Sequence, residues 1–211
     1  MKAISSMATR HLLVELSEWA DGRGAGRLEV ESVGGVDATR RVAAGEPFDL
    51  VFLASDALGA LAAAGHVDAA SITPLALSQV GIAVRAASVE AAAAAMSPAF
   101  DDAAGVREAL IAATRIGYST GPSGTALVRQ VEDWGLADAL ETRVVQARAG
   151  VPVASLVAAG EVDLGFQQLS ELVGQPGIGV LGVRPPGCAI DTVFSGAVAT
   201  VSSDPDRAAA L

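Results

Sequence analysis

Four short segments of small residues stand where an apolar run gives way to a helical pattern. They are Ser5-Ser6, Ser32-Val33-Gly34-Gly35, Ser119-Thr120-Gly121-Pro122-Ser123-Gly124-Thr125 and Ala149-Gly150-Val151-Pro152. A helix start leaves backbone N–H groups without acceptors, and serines and glycines beside it let a small anion approach them. Pro122 suits a first helical position, where no N–H is needed, and Pro152 repeats the device at the fourth turn. One such turn alone is an ordinary capped helix. Several turns gathered outside the carboxyl ends of strands in an open α/β sheet would instead make an anion crevice. Each charge-assisted hydrogen bond contributes about 1.5–3 kcal/mol, so a few suffice for binding of about micromolar affinity.

Other chemistries fit these residues poorly. A phosphate-binding loop needs Gly-x-x-x-x-Gly-Lys-Ser/Thr, and Gly121 to Thr125 has neither the spacing nor the lysine. A nucleophile elbow needs Gly-x-Ser-x-Gly, but Thr125 occupies the place of the last glycine. Arg10, Arg40, Arg41 and Arg148 are guanidinium candidates for a di- or tricarboxylate, and Arg148, two residues before Gly150, is the best placed. A solvated surface role is the simpler account of each of them, since arginine is mostly exposed. His11, Asp37 and Glu171 are the candidate bases for a proton transfer, with no catalytic residue singled out among them. Cys188 has no basic neighbour in sequence and reads as structural. The histidines are His11 and His66 alone, so no zinc cluster can form, and neither a metal nor a cofactor is expected.

The elements that must position these residues follow from hydrophobic period. Ala3 to Ser6 reads as a strand end, and Leu12, Leu13, Leu16 and Trp19 give Met7 to Ala20 a helical period, with Ser5 or Ser6 as N-cap. Leu28 and Val30 alternate with charged residues as in a half-buried strand, and a helix is predicted over about Asp37 to Ala44. Asp49 to Ala54 is nearly all apolar, as in a strand covered on both faces, and a helix from Ser55 or Asp56 stops at Gly65. Strands are predicted at Gln79–Ala86, Arg115–Ser119, Val144–Val145, Val162–Phe166, Ile178–Val183 and Asp191–Val201. Helices are predicted from Pro122 to about Trp134, from Val151 to Ala159, and over 87–113 with an interruption at Pro98. The rhythm of strand and helix implies an α/β fold with a mostly parallel sheet.

Composition narrows the function classes. The chain has 211 residues, 51% hydrophobic and 18% charged, which fits a packed α/β protein and excludes a disordered one. With 24 acidic and 14 basic side chains the net charge is −10, which opposes nucleic-acid or anionic-membrane binding. Aromatic residues at 4% leave little for base stacking. No run approaches the ~20 apolar residues of a membrane span, so no direct membrane insertion is expected. The first residues, Met1-Lys2-Ala3-Ile4-Ser5-Ser6, turn polar at once, so the expected location is the periplasm if a signal peptide has been removed and the cytoplasm otherwise.

Ile4-Ser5-Ser6-Met7-Ala8, the Gly34-Gly35 turn followed by Arg41 to Val51, and Leu164-Gly165-Phe166-Gln167-Gln168-Leu169-Ser170-Glu171 together resemble the periplasmic molybdate-binding proteins over nearly the whole chain. The resemblance implies a type II periplasmic-binding-protein fold: two mixed-sheet α/β lobes joined by two hinge crossovers, with an anion held in a cleft between them. Lobe 1 would be residues 1–78 plus 192–211 and lobe 2 residues 79–191, with hinges near Ser78–Gly81 and Asp191–Phe194. In that family the oxyanion is held by serine hydroxyls, helix-start amides and a tyrosine hydroxyl. By resemblance the ligand-binding set is Ser5 or Ser6, Gly34 and Gly35, Ser119, Ser123 and Gly124, Gly150 and Val151, and Gln168, with Arg148 added from the residue reading. Glycine at 35 lacks a hydroxyl and glutamine at 168 replaces the phenol, which weakens the match to molybdate and retains the match to a small anion. The implied partners are a small anionic ligand and the membrane subunits of an ABC transporter. A branch of the same broad family resembles aconitate isomerases, which implies instead an allylic proton shift on a small polycarboxylate in the same cleft.

Overall fold

The computed structural model describes residues 1–24, 26–86 and 98–211, and the chain divides into two units, residues 1–77 with 192–211 and residues 78–191. In the first unit β1 (Lys2–Ser6) leads through a 3-10 turn (Met7–Thr9) into α1 (Arg10–Asp21). Then come β2 (Glu29–Val33), α2 (Gly35–Ala43), β3 (Leu50–Ala54) and α3 (Ser55–Ala63). The strand-helix order is the one the periodicity predicts. β1 lies parallel to both β2 and β3, with Ser5 opposite Ser32 and Phe52. Every residue of β3 is buried because both sheet faces are covered. Leu50 and Phe52 pack with Leu13 of α1, while Val51 and Leu53 pack with Val42 of α2 and Leu58 of α3. β3 also pairs antiparallel with β9 (Asp191–Val198), so the last strand returns to this sheet and makes it mixed.

The chain leaves the first unit within β4 (Thr73–Arg85), which is longer than the Gln79–Ala86 strand predicted. In the second unit follow α4 (Ala103–Ala112), β5 (Ile116–Tyr118), α5 (Pro122–Asp133) and α6 (Ala137–Leu140). After them come β6 (Val144–Gln146), α7 (Val153–Ala159), β7 (Leu164–Gln168), α8 (Leu169–Leu172) and β8 (Ile178–Val183). β5 lies parallel to β6 and β7, while β4 runs antiparallel to β7 and β8. The carboxyl ends of β5, β6 and β7 thus share one edge, which places the turns after Tyr118, Gln146 and Gln168 on the same side of this sheet.

Two glycines set how close a helix comes to that sheet. Gly117 and Gly165 are paired across β5 and β7. A methyl on Gly165 would stand 2.6 Å from Val157 Cγ2, and one on Gly117 3.1 Å from Val153 Cγ1. Only hydrogen at both positions lets α7 seat its valines against the strands. The other side of the sheet carries the larger core of Val80, Ile82, Val106, Leu110, Ile116, Leu127 and Phe166.

Several predicted boundaries move. Helix α2 begins at Gly35 rather than about Asp37, because a glycine N-cap and glycine N1 tolerate the turn without a side-chain cap. Helix α7 begins at Val153 rather than Val151, since Pro152 holds an extended ψ of 140° as N-cap instead of opening the helix. Of the predicted helix over 87–113, α4 accounts for the part after Pro98, and residues 87–97 lie outside the described residues. The short α6 and α8 and the terminal α9 (Pro205–Ala209) are additional. The Asp204-Pro205 pair, an N-cap whose carboxylate accepts from Arg207 N followed by proline at N1, was the signal for α9.

Candidate functional site

In the first unit the turn after β1 separates the two candidate serines. Ser5 Oγ is spent inside the sheet, at 2.8 Å from Ser32 Oγ and 3.2 Å from Ser6 O. Ser6 caps the 3-10 turn, its Oγ accepting from Ala8 N at 3.1 Å, which leaves its own O–H free to donate. Thr9, also buried, donates to Ser6 O and fixes the turn. The two serines alternate across the pleat, so Ser5 lies beside its cross-strand neighbour Ser32 on the face that carries Ala3 and α1, and Ser6 lies on the opposite face with Ile4 and α2. A methyl built on Gly35 would meet Ser6 Cβ at 3.8 Å, so this serine and the start of α2 are neighbours. Gly34, the N-cap, has no side chain to satisfy the first amides. Ala38 N is the first to bond back, to Gly34 O, and the N–H groups of Gly35, Val36 and Asp37 have no acceptor among the described residues. Ser6 and the α2 start together present neutral donors only.

In the second unit the turn after β5 brings Ser119 and Ser123 together, their hydroxyls 3.0 Å apart. Ser123 is buried at the second position of α5, and its amide finds no acceptor among the described residues. Pro122 has no N–H, and Gly124 N and Thr125 N both bond to Gly121 O. Gly124 does not open a path for a ligand, contrary to the sequence expectation. A methyl there would stand 1.8 Å from Ser119 O, so the glycine exists to admit the chain's own carbonyl.

The turn after β6 differs from expectation at its amide. Val151 N donates to Arg148 O at 2.9 Å, so the N–H assigned to a ligand closes a turn instead. Gly150 carries a φ of +78°, the left-handed conformation that favours glycine, and reverses the chain there. Arg148 is exposed and makes no ion pair among the described residues. The first amide of α7, Val153 N, is capped by Gln167 Oε1 at 2.8 Å. Gln168, the N-cap of α8, is buried at 3% exposure in the end of β7.

The remaining charged candidates separate cleanly. Arg41 reaches both Glu31, at 2.6 Å, and Glu46, at 2.8 Å, which raises its pKa and holds the Glu31 carboxyl below its ordinary value through the shared hydrogen bond. Arg40 pairs with Asp37 one helical turn away, which removes both from the pool of free groups. Arg10 is exposed at the first position of α1, and His11 beside it is exposed as well. Glu171 is the exception among the acids: largely buried, it accepts from Gln167 Nε2 at 2.9 Å, and burial pushes its carboxyl up to about 7 against the lowering effect of that bond.

Arg184 escaped the sequence reading because arginine is rarely buried. It is 2% exposed at the end of β8, donates to Gln130 Oε1 and lies 5.7 Å from the Trp134 ring and 5.8 Å from Phe166. Burial drives its pKa down. Nothing in its sequence context, Gly182-Val183-Arg184-Pro185-Pro186, separates it from a surface arginine. Among the described residues no three His, Cys, Asp or Glu side chains gather as a metal site, and no helix is long and apolar enough to cross a membrane.

Two α/β units, with strand-to-helix turns rich in serine, glycine and free amides, define a protein of the periplasmic-binding-protein type. Residues 2–211 match the pattern of the family described as bacterial extracellular solute-binding protein, and the chain belongs to that family. Among solved structures it superposes on the periplasmic molybdate-binding protein of Azotobacter vinelandii with a TM-score of 0.75 at 19% identity, covering 99% of this chain and 89% of that one. The iron-bound HitA of Pseudomonas aeruginosa gives a TM-score of 0.62 at 15% identity, over 100% of this chain and 79% of that one. One of those proteins binds molybdate and the other is iron-bound, so the shared fold does not select a ligand. In sequence, the chain is 35% identical over 177 residues to an aconitate isomerase from a Pseudomonas species. The match covers 81% of this chain and 63% of that protein's length, so the chain spans less than two thirds of this relative.

Proposed function

We propose that this solute-binding protein takes a small organic polyanion, a tricarboxylate of the aconitate class, at strand-to-helix turns rich in serine, glycine and free amides. The observation that carries the reading is Arg148: an exposed guanidinium without an ion pair among the described residues, on the same edge of the second sheet as the Ser119–Ser123 turn. Neutral donors alone suffice for a tetrahedral oxyanion, whereas a planar carboxylate is matched by the two parallel N–H groups of a guanidinium. Taken by itself, the first unit offers the Ser6 hydroxyl and the α2 amides, neutral donors able to hold a carboxylate. Glycine at 35 and glutamine at 168, where the molybdate-type pattern has a hydroxyl and a phenol, point the same way. As an extracellular receptor the protein would deliver this ligand to the membrane subunits of an ABC transporter.

A thermal-shift panel of molybdate, tungstate, sulfate, citrate and the two aconitates tests the ligand class. A ligand at ~100 times its Kd adds about 2.7 kcal/mol. Stabilisation by the tricarboxylates, reduced roughly 10- to 100-fold in affinity by Arg148→Ala, is the expected result. A shift with the tetrahedral oxyanions alone would reject the tricarboxylate and return the ligand to the molybdate type.

A second reading is favoured by the aconitate isomerase relative and by the raised carboxyl of Glu171. In it the protein converts cis- to trans-aconitate by moving an allylic proton. Interconversion of the two isomers, followed by proton NMR, separates this reading from a receptor that only binds.

A further inference from the structure

Of the three acids and bases that the sequence offers for a proton shift, two are disqualified by their surroundings. His11 is exposed on α1, and Asp37 is tied to Arg40. Glu171 alone combines partial burial with a fixed orientation. Its Oε1 accepts from Gln167 Nε2 at 2.9 Å, and the other end of the same amide accepts from Val153 N at 2.8 Å. Because Val153 is the first residue of α7 and its N–H can only donate, Gln167 must present its oxygen to the helix and its nitrogen to the acid. The backbone therefore fixes which way round the amide lies, and the amide holds Oε1 of the carboxylate.

The elements packed around α8 contribute apolar groups: Ala83 from β4, Ala154 from α7, and Val180 and Val183 from β8 pack with Leu169 and Leu172. Among the described residues no salt bridge reaches the Glu171 carboxylate and Gln167 is its hydrogen-bond partner. The acid follows directly on β7, whose carboxyl end shares its sheet edge with the Ser119–Ser123 turn and with Arg148. A carboxyl raised to about 7 is ionised enough to take a proton near neutrality and basic enough to be useful in doing so.

We propose that Glu171 is the proton-carrying catalytic residue of an aconitate-type isomerisation, with Gln167 as the positioning residue that orients it from the start of α7. The inference rests on the isomerase reading above. In the step, the Glu171 carboxylate removes a proton from the methylene carbon of the substrate, and the C–H electron pair moves into the allylic system, delocalised onto the adjoining carboxylates. The same carboxyl then returns the proton to the former vinylic carbon at the other end of that system. One C–H bond breaks, one forms, the double bond shifts by one carbon, and the carboxylate is regenerated without oxidant or co-reactant.

The test uses the full chain with cis-aconitate, followed by proton NMR, alongside calorimetric binding of both isomers. Wild-type protein is expected to interconvert the isomers at a rate that rises with pH through about 7, as the base ionises. Glu171→Gln is expected to bind both isomers within about threefold of wild type while losing roughly 10²- to 10⁴-fold in rate, and Glu171→Asp to recover part of it. Gln167→Leu removes the hydrogen bond that lowers the Glu171 pKa, so the midpoint of the pH–rate profile moves upward, which a purely structural role would not produce. Wild-type turnover with a Glu171→Gln variant that binds and turns over within threefold overturns the assignment and leaves the isomerase reading intact. Binding of aconitate by wild type without any interconversion overturns both.

Discussion

The two units use the same turn chemistry and differ in what they do with charge. In the first, the arginines nearest the α2 turn are consumed, Arg40 by Asp37 and Arg41 by Glu31 and Glu46, and what remains open beside that turn is neutral: the Ser6 hydroxyl and three backbone amides. In the second, Arg148 makes no ion pair among the described residues, and Glu171 is half-buried on α8, where the Gln167 amide holds one of its oxygens. Neutral donors bind an anion with little dependence on its shape or on pH, whereas a guanidinium selects carboxylates and a buried acid titrates. On the proposed reading the first unit would offer general anion affinity, and the second would carry the groups able to discriminate between ligands and respond to protons.

The largest test of that contrast lies in the second unit's rigid turn. Gly124→Ala forces a methyl into Ser119 O, a backbone atom that cannot swing aside, and should cost about 3 kcal/mol by chemical denaturation. The same substitution at Gly34 meets open space and should cost only the N-cap preference for glycine over alanine, about 1 kcal/mol or less. Equal losses at both positions would erase the difference in packing between the turns.

Next comes the buried acid. With a folded pKa of about 7 against an ordinary 4.5, the folded protein keeps a proton that the unfolded chain releases. Stability should therefore fall as pH rises between those two values and stay reduced above them. Glu171→Gln removes the penalty and should stabilise the protein by about 2 kcal/mol at about pH 8, with a flatter dependence on pH, measured by urea titration across the range. A variant with the wild-type pH profile would show that burial does not control this carboxyl.

The smallest effect is expected at the first unit's neutral donor. Ser6→Ala deletes the cap on Ala8 N and should cost about 1 kcal/mol in stability, with a similar loss in affinity for tricarboxylates and tetrahedral anions alike. A loss confined to tricarboxylates would move discrimination into this unit and undo the division of labour.

Much of this was legible beforehand. The β1-α1-β2-α2-β3-α3 order, the two-faced burial of β3 and the α5 start at Pro122 follow from period, apolar runs and proline, all of which act over a few neighbouring residues. The choice between Ser5 and Ser6 was not legible. It depends on which face of the sheet each serine occupies, and the partner that settles it, Ser32, is 27 positions from Ser5. Gly124 and Val151 were misjudged for a related reason. A small residue and a free-looking amide read as room for a ligand, and both are filled by carbonyls of the chain itself, Ser119 O and Arg148 O.

What the sequence by itself determined is the class of architecture, the places where helices begin on small residues, and a donor chemistry suited to anions. Those are consequences of local backbone preference and hydrophobic patterning, which a single strand of residues carries in full. The tertiary structure alone decided which donors remain unspent among the described residues, that Arg41 is paired while Arg148 makes no ion pair among those residues, that Arg184 lies inside the core, and that Glu171 is held by an amide anchored to another helix. Hydrogen bonds and desolvation depend on which distant groups the fold brings within about 3 Å, and a residue's ionisation follows from that company rather than from its type.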